Sequence, residues 1–131
     1  MSGQPTLVQY ERLRPHQIVA RREACPVAYL PVGTIEWHGV HNPVGLDTLK
    51  IHALLCACAE KIGGLVFPPL YYGENREQAL MEANAADRDR IAGAMNLPPD
   101  HFAPGYMTES VSDQNRNYQS LLIHILHEIK S

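Results

Sequence analysis

A chain of 131 residues that is 45% hydrophobic and 19% charged has the composition of one globular domain with a modest core. Its net charge of −3, with Lys and Arg scattered along the chain, gives no electrostatic reason to expect nucleic acid or an anionic membrane as partner. A small neutral or polar substrate fits better, and no run approaches the roughly 18 apolar residues of a membrane span.

The start of the chain, MSGQPTLVQYERLRP, has no apolar core flanked by basic residues. Cys25, Cys56 and Cys58 are odd in number, and the last two sit in an apolar stretch where they behave as small hydrophobes. Both features predict a cytoplasmic, reduced protein without a disulfide framework.

Arg14 to Glu23 reads as a short helix with Pro15 in its first turn, where a missing N–H does no harm. Cys25 to Val32 (CPVAYLPV) then reads as a short buried strand ended by Gly33. Thr48 to Ile62 is apolar on most of its circumference, as a helix enclosed by protein would be, and Gly63–Gly64 stops it. Leu65 to Phe67 is a second strand, terminated by Pro68 and Pro69. Strand, loop, helix, strand in this order is a βαβ unit with two parallel strands, so the fold class is α/β.

The pattern loosens over residues 71–111, an irregular excursion with a helical stretch around Arg76 to Met95 followed by a Pro-rich segment. In the closing stretch, Tyr118, Leu121, Leu122, Ile125 and Ile129 repeat with helical spacing, and Ser112 or Asp113 is a candidate N-cap. With two strands the sheet is narrow and its edges open, a state that proteins usually cover or pair. The expectation is an oligomer, or a chain that forms part of a larger fold.

The loop after the first strand, PVGTIEWHGVHNPVGLDTLK, carries the chemistry. In an extended backbone residues two apart point to the same side, so Glu36 and His38 project together. Asp47 stands directly before the second helix, where free N–H groups and the helix dipole favour a carboxylate. Carboxylates with imidazole suit zinc, manganese or iron(II), and an Asp can bridge two ions. The end of a strand is also where α/β sheets place ligands. The same residues admit a plainer reading: Asp47 only a helix cap, Glu36 a solvated loop residue and His38 a loop histidine bonded to backbone. Spacing alone does not separate the two, because Glu-x-His is short.

The stretch Leu30 to Thr48 resembles the signature of the creatininase family, a strand followed by a Gly-x-x-Glu-x-His-Gly-x-His loop and an Asp opening the next helix. Gly33, Glu36, His38, Gly39, His41, Pro43, Gly45 and Asp47 all fall on that pattern, and GGLVFPPLYYG resembles the family's second strand and turn. The resemblance implies a three-layer α/β fold with a mostly parallel sheet. It also implies a two-metal hydrolytic centre, commonly zinc or manganese, that cleaves a C–N bond of a cyclic or linear amide. Carried over residue by residue, Glu36 would hold one metal, His38 the other, and Asp47 would bridge both.

Asn42 replaces an apolar residue common in that loop, and Trp37 stands where a polar residue is frequent; both point at pocket shape. Family members are longer, and a later Gly-His-Gly-Gly-type motif supplies their remaining ligands. The resemblance therefore covers the N-terminal half, and residues 1–131 are expected to be one domain of an incomplete creatininase-like fold, acting on a small amide with a second copy or a complementary chain. The alternative is a non-catalytic scaffold subunit that keeps the loop and lacks a complete metal site.

His41, Trp37 and Tyr72 are candidates for substrate contact or for support of the ligands. His124, His127 and Glu128 suggest a helical metal group, but their order matches no zinc-helix motif, and a solvated stripe is the better reading. His52 reads as a core or boundary histidine, and Asp87 to Arg90 as a salt-bridged turn of helix.

Overall fold

The computed structural model describes residues 7–73, 88–102 and 111–131. The chain divides into two compact units, one of residues up to Ile35 with Gly45–Tyr72, the other of Glu36–Val44 with Gly73–Ser131.

In the first unit the elements are α1 (Pro15–Ala24), β1 (Ala28–Tyr29), α2 (Leu46–Ile62) and β2 (Leu65–Val66), preceded by a 3-10 turn at Tyr10–Arg12. β1 and β2 pair in parallel, Ala28 with Leu65 and Tyr29 with Val66, so the βαβ reading holds. β2 is the inner strand. Its N–H groups alternate sides: Leu65 and Phe67 donate to Val27 and Tyr29, whereas Val66 donates to Val8, with Gln9 bridging Val66 in parallel. The segment at Val8–Gln9 was not legible as a sheet neighbour. Beyond β1 the edge meets no further strand among the described residues.

The core lies where α2 covers this sheet: Val8, Ala59 and Val66 are buried, with Tyr29, Leu55 and Cys56 packed against them. Burial of each valine contributes about 2 kcal/mol. Tyr10 stacks on Phe67 at a centroid distance of 4.5 Å.

Pro15 opens α1, and the Arg14 N–H donates to Gln17 Oε1. Arg21 then reaches across to the end of α2 and donates from Nε to the Gly64 carbonyl and from a terminal nitrogen to that of Ala59, at 3.0 and 3.3 Å. A guanidinium thus satisfies carbonyls at a helix C-terminus, where a cation is favoured.

Four expectations are corrected. The first strand is two residues long rather than Cys25 to Val32, because Pro26 and Pro31 have no N–H to give a ladder; the chain resumes pairing only as an isolated bridge from Val32 to Leu70. Nor is that strand buried: Ala28 is exposed and Tyr29 half-buried. α2 begins at Leu46 with Gly45 as N-cap, so Asp47 lies inside the first turn, and the helix is not enclosed, since Leu49 and Leu54 are exposed.

In the second unit α3 (Arg88–Met95) leads to a 3-10 turn at Pro99–Phe102, and α4 (Val111–Lys130) closes the chain. Asn96, at φ 54°, ends α3 in the left-handed region, and the Leu97 N–H donates back to the Ala92 carbonyl, as at a Schellman end. Most of the excursion anticipated before Arg88, and Asp87, lie outside the described residues. Along α4, Tyr118, Leu122, Ile125 and Ile129 are half-buried, as the spacing predicts, while Leu121 is exposed. The helix starts at Val111, so Ser112 and Asp113 lie within its first turn instead of capping it, and Asp113 pairs with Arg116 at 3.3 Å. Among the described residues no helix is long and apolar enough to cross a membrane.

Candidate metal centre

The loop between β1 and α2 is shaped by its backbone. After Gly33, whose N–H donates to the Leu70 carbonyl, the chain runs out to Glu36, and the Glu36 N–H donates to the Val44 carbonyl at 3.0 Å. That bond closes the loop on itself. Gly39 turns at φ 80°, a left-handed conformation that L side chains disfavour, and the His41 ring lies against its open side. The Asn42 side-chain amide donates to the His38 carbonyl at 3.3 Å. Asn42 thus ties the turn, a role that the sequence reading assigned to pocket shape; short polar side chains bonding nearby backbone are the signal that could have found it.

Glu36 and His38 do project together. His38 Nε2 stands 3.8 Å from Glu36 Oε1, and both side chains are half-buried. His38 Nδ1 lies 3.1 Å from the Glu36 carbonyl oxygen, which can only accept, so Nδ1 carries the proton in that bond and, in the neutral ring, Nε2 is the nitrogen with a lone pair. Asp47 completes the group: one ligand atom from each of Glu36, His38 and Asp47 lies within 4.8 Å of the others. Two atoms bound to one ion at about 2.0–2.2 Å are at most roughly 4.4 Å apart. The Glu36–His38 separation meets that limit as it stands. The full spread of the trio, up to 4.8 Å, is slightly wider than that limit. Two carboxylates and a neutral imidazole also balance the charge of a divalent cation, so the donor set fits zinc, manganese or iron(II).

Asp47 is anchored from behind. Thr48, fully buried, donates from Oγ1 to the Leu70 carbonyl at 3.2 Å, the same carbonyl that accepts the Gly33 N–H. Gly33 is a glycine of close approach: a Cβ there would stand 2.5 Å from the Thr48 nitrogen and 2.7 Å from its Cα. The sequence marks Gly33 only as the end of the first strand and as part of the loop pattern, and Thr48 was passed over. Gly45 leaves room for the Tyr71 ring, with Tyr71 Cε1 3.5 Å from its Cβ position.

The other candidates are placed as follows. Trp37 is half-buried and His41 exposed, while the Tyr72 side chain is 86% exposed. His52 is half-buried on α2, 3.2 Å from the Gln9 amide nitrogen. His124, His127 and Glu128 are exposed along α4, and Arg88 pairs with Asp89 at 3.3 Å on the surface. The three cysteines are free, and burial, helped by Glu60 and Glu11, pushes the Cys56 thiol up.

The model of the family described as creatinine amidohydrolase matches residues 11–115 of this chain. Among curated proteins, a 3-dehydro-scyllo-inosose hydrolase from Thermotoga maritima is 35% identical over 69 residues, 53% of this chain and 22% of that protein. A creatinine amidohydrolase from Pseudomonas putida is 44% identical over 52 residues, 40% of this chain and 20% of that protein. The matched stretches therefore span about a fifth of each relative's length. No solved structure matches.

Proposed function

The chain belongs to the creatininase family, and from that premise we propose that it forms part of a metal-dependent amidohydrolase that cleaves a C–N bond of a cyclic or linear amide. The observation that carries this reading is the meeting of Glu36, His38 and Asp47 around a space of metal-site dimensions. Both similar curated proteins are named as hydrolases, which supports the reaction class.

In this reading His38 binds through Nε2, held in the required tautomer by the Glu36 carbonyl, and Glu36 contributes one carboxylate oxygen. Asp47 presents its carboxylate from the first turn of α2 and is the member able to serve two ions. A bound divalent ion supplies Lewis acidity, lowering the pKa of water to about 7 and polarising the substrate carbonyl. Trp37, His41 and Tyr72 remain the candidates for substrate contact.

Three side chains are too few for two ions. Glu36 and Asp47 offset only one dication, so a second ion needs further donors from a complementary polypeptide or another copy. The test is metal content by equilibrium dialysis against zinc and manganese, with amide turnover, for this chain with and without a polypeptide carrying a Gly-His-Gly-Gly-type motif. Alone, it is expected to bind at most one ion weakly and hydrolyse nothing; with the complement, two ions and turnover are expected. Full activity of the chain alone refutes the need for a complement, and absence of metal under both conditions favours a scaffold subunit.

A further inference from the structure

We propose that Thr48 is a positioning residue for the metal centre: its hydroxyl, bonded to the Leu70 carbonyl against Gly33, sets the direction in which Asp47 presents its carboxylate. The inference rests on the reading of Asp47 as a metal ligand.

Thr48 is completely buried, yet its hydroxyl is not needed to satisfy Leu70, because that carbonyl already accepts the Gly33 N–H at 2.9 Å. Thr48 is the third residue of α2 and has no preceding turn of that helix to bond, and its Oγ1 donates at 3.2 Å to a carbonyl of a separate segment. Leu70 is itself fixed, donating its N–H to the Pro31 carbonyl at 2.9 Å. Gly33 presses on the Thr48 backbone so closely that any side chain there would collide with the nitrogen and Cα. Hydroxyl and glycine together therefore hold the first turn of α2 at one rotation about the helix axis.

Rotation is what Asp47 needs held. Side chains reach about 5–6 Å from a helix axis, so a turn of about 20° sweeps a carboxylate through roughly 2 Å. That displacement equals a whole metal–ligand bond. A threonine at position 48 thus controls, through its neighbour, whether Asp47 reaches the ion.

The experiment compares Thr48→Val, which keeps the shape and removes the hydroxyl, with Thr48→Ser, which keeps the hydroxyl and removes the methyl. Each chain is titrated with cobalt(II), the ligand-field absorption reporting affinity and coordination geometry, and thermal unfolding is recorded in parallel without metal. Thr48→Val is expected to weaken cobalt binding about tenfold or more and to change the absorption band. Thr48→Ser is expected to stay within about twofold of the parent with the same band. A purely structural role predicts the reverse, since serine leaves a cavity and valine does not. Parent-like binding by Thr48→Val, or a loss in Thr48→Ser equal to that in Thr48→Val, overturns the proposal while the function stands. If Thr48→Val does not fold, Thr48→Ser decides alone, a weakened titration overturning the proposal. A parent chain that binds no cobalt either alone or with the complementary polypeptide removes the metal reading itself, and the proposal with it.

Discussion

Two stretches of this chain concentrate residues of ligand type, and they end differently. Glu36, His38 and Asp47 lie on a loop and the helix turn that follows it, and their ligand atoms come within 4.8 Å of one another. His124, His127 and Glu128 share one face of α4, and no such group forms there among the described residues. Composition does not separate them; backbone restraint does. The loop is closed by the Glu36–Val44 hydrogen bond, turned at Gly39 and tied by Asn42. A helix surface spaces its side chains along and around a cylinder and leaves them in solvent, where long-chain entropy opposes convergence. A metal site is a property of how the chain doubles back, and substitutions at three places probe it: the trio itself, Gly33 and the α4 stripe.

The largest effect is expected at Asp47. In the complemented enzyme Asp47→Ala should abolish turnover and lower the bound metal below one ion per chain, because the residue proposed to serve two ions is gone. Glu36→Ala and His38→Ala each remove a donor from one ion, so metal analysis should show the loss of about one ion and a smaller fall in affinity. Equal losses for all three variants would break the assignment of Asp47 as the shared ligand.

Next in size is Gly33→Ala. The added methyl would meet the Thr48 nitrogen and Cα at 2.5 and 2.7 Å, and backbone atoms cannot swing aside as a side chain can. Relief requires the segment at Gly33 and the start of α2 to separate, so urea unfolding should show a loss of about 3 kcal/mol or more, the upper range of overpacking. A loss under about 1 kcal/mol would mean that the clasp behind Asp47 is soft and that the loop is not restrained as described.

Much of this contrast was legible in the sequence, and the limits have physical causes. The two strands and the helix between them follow from local apolar runs bounded by Gly63–Gly64 and Pro68–Pro69, and their parallel pairing follows from the crossover. The Glu36–His38 pair follows from a period of two, and the loop pattern agreed with the family that residues 11–115 match. What escaped was non-local. Val8 pairs with Val66 across most of the first unit, and no local pattern marks a sheet neighbour so short. Thr48 looked like any helical threonine, because its importance lies in Gly33 and Leu70, which fold against it from two other segments. The outer face of α2 reads as apolar and is exposed at Leu49 and Leu54, since periodicity reports which residues share a face and not what covers it.

The smallest effect is expected from the triple substitution of His124, His127 and Glu128 by Ala, and its smallness is what makes it informative. His124 and Glu128 are four residues apart and His127 is adjacent to Glu128, so helix geometry alone brings their stems to neighbouring positions, yet all three are exposed. To bind an ion they would have to freeze side chains in solvent, at a cost of up to about 2 kcal/mol for the glutamate alone. Alanine is a good helix former and relieves none of the contacts of the half-buried stripe at Tyr118, Leu122, Ile125 and Ile129, so stability should change by no more than about 0.5 kcal/mol. Cobalt affinity and its absorption band should match those of the parent chain. A fall in cobalt binding beyond about twofold would show that ligand-type residues on an exposed helix face hold metal here without the restraints the loop supplies, and the contrast between the two stretches would collapse.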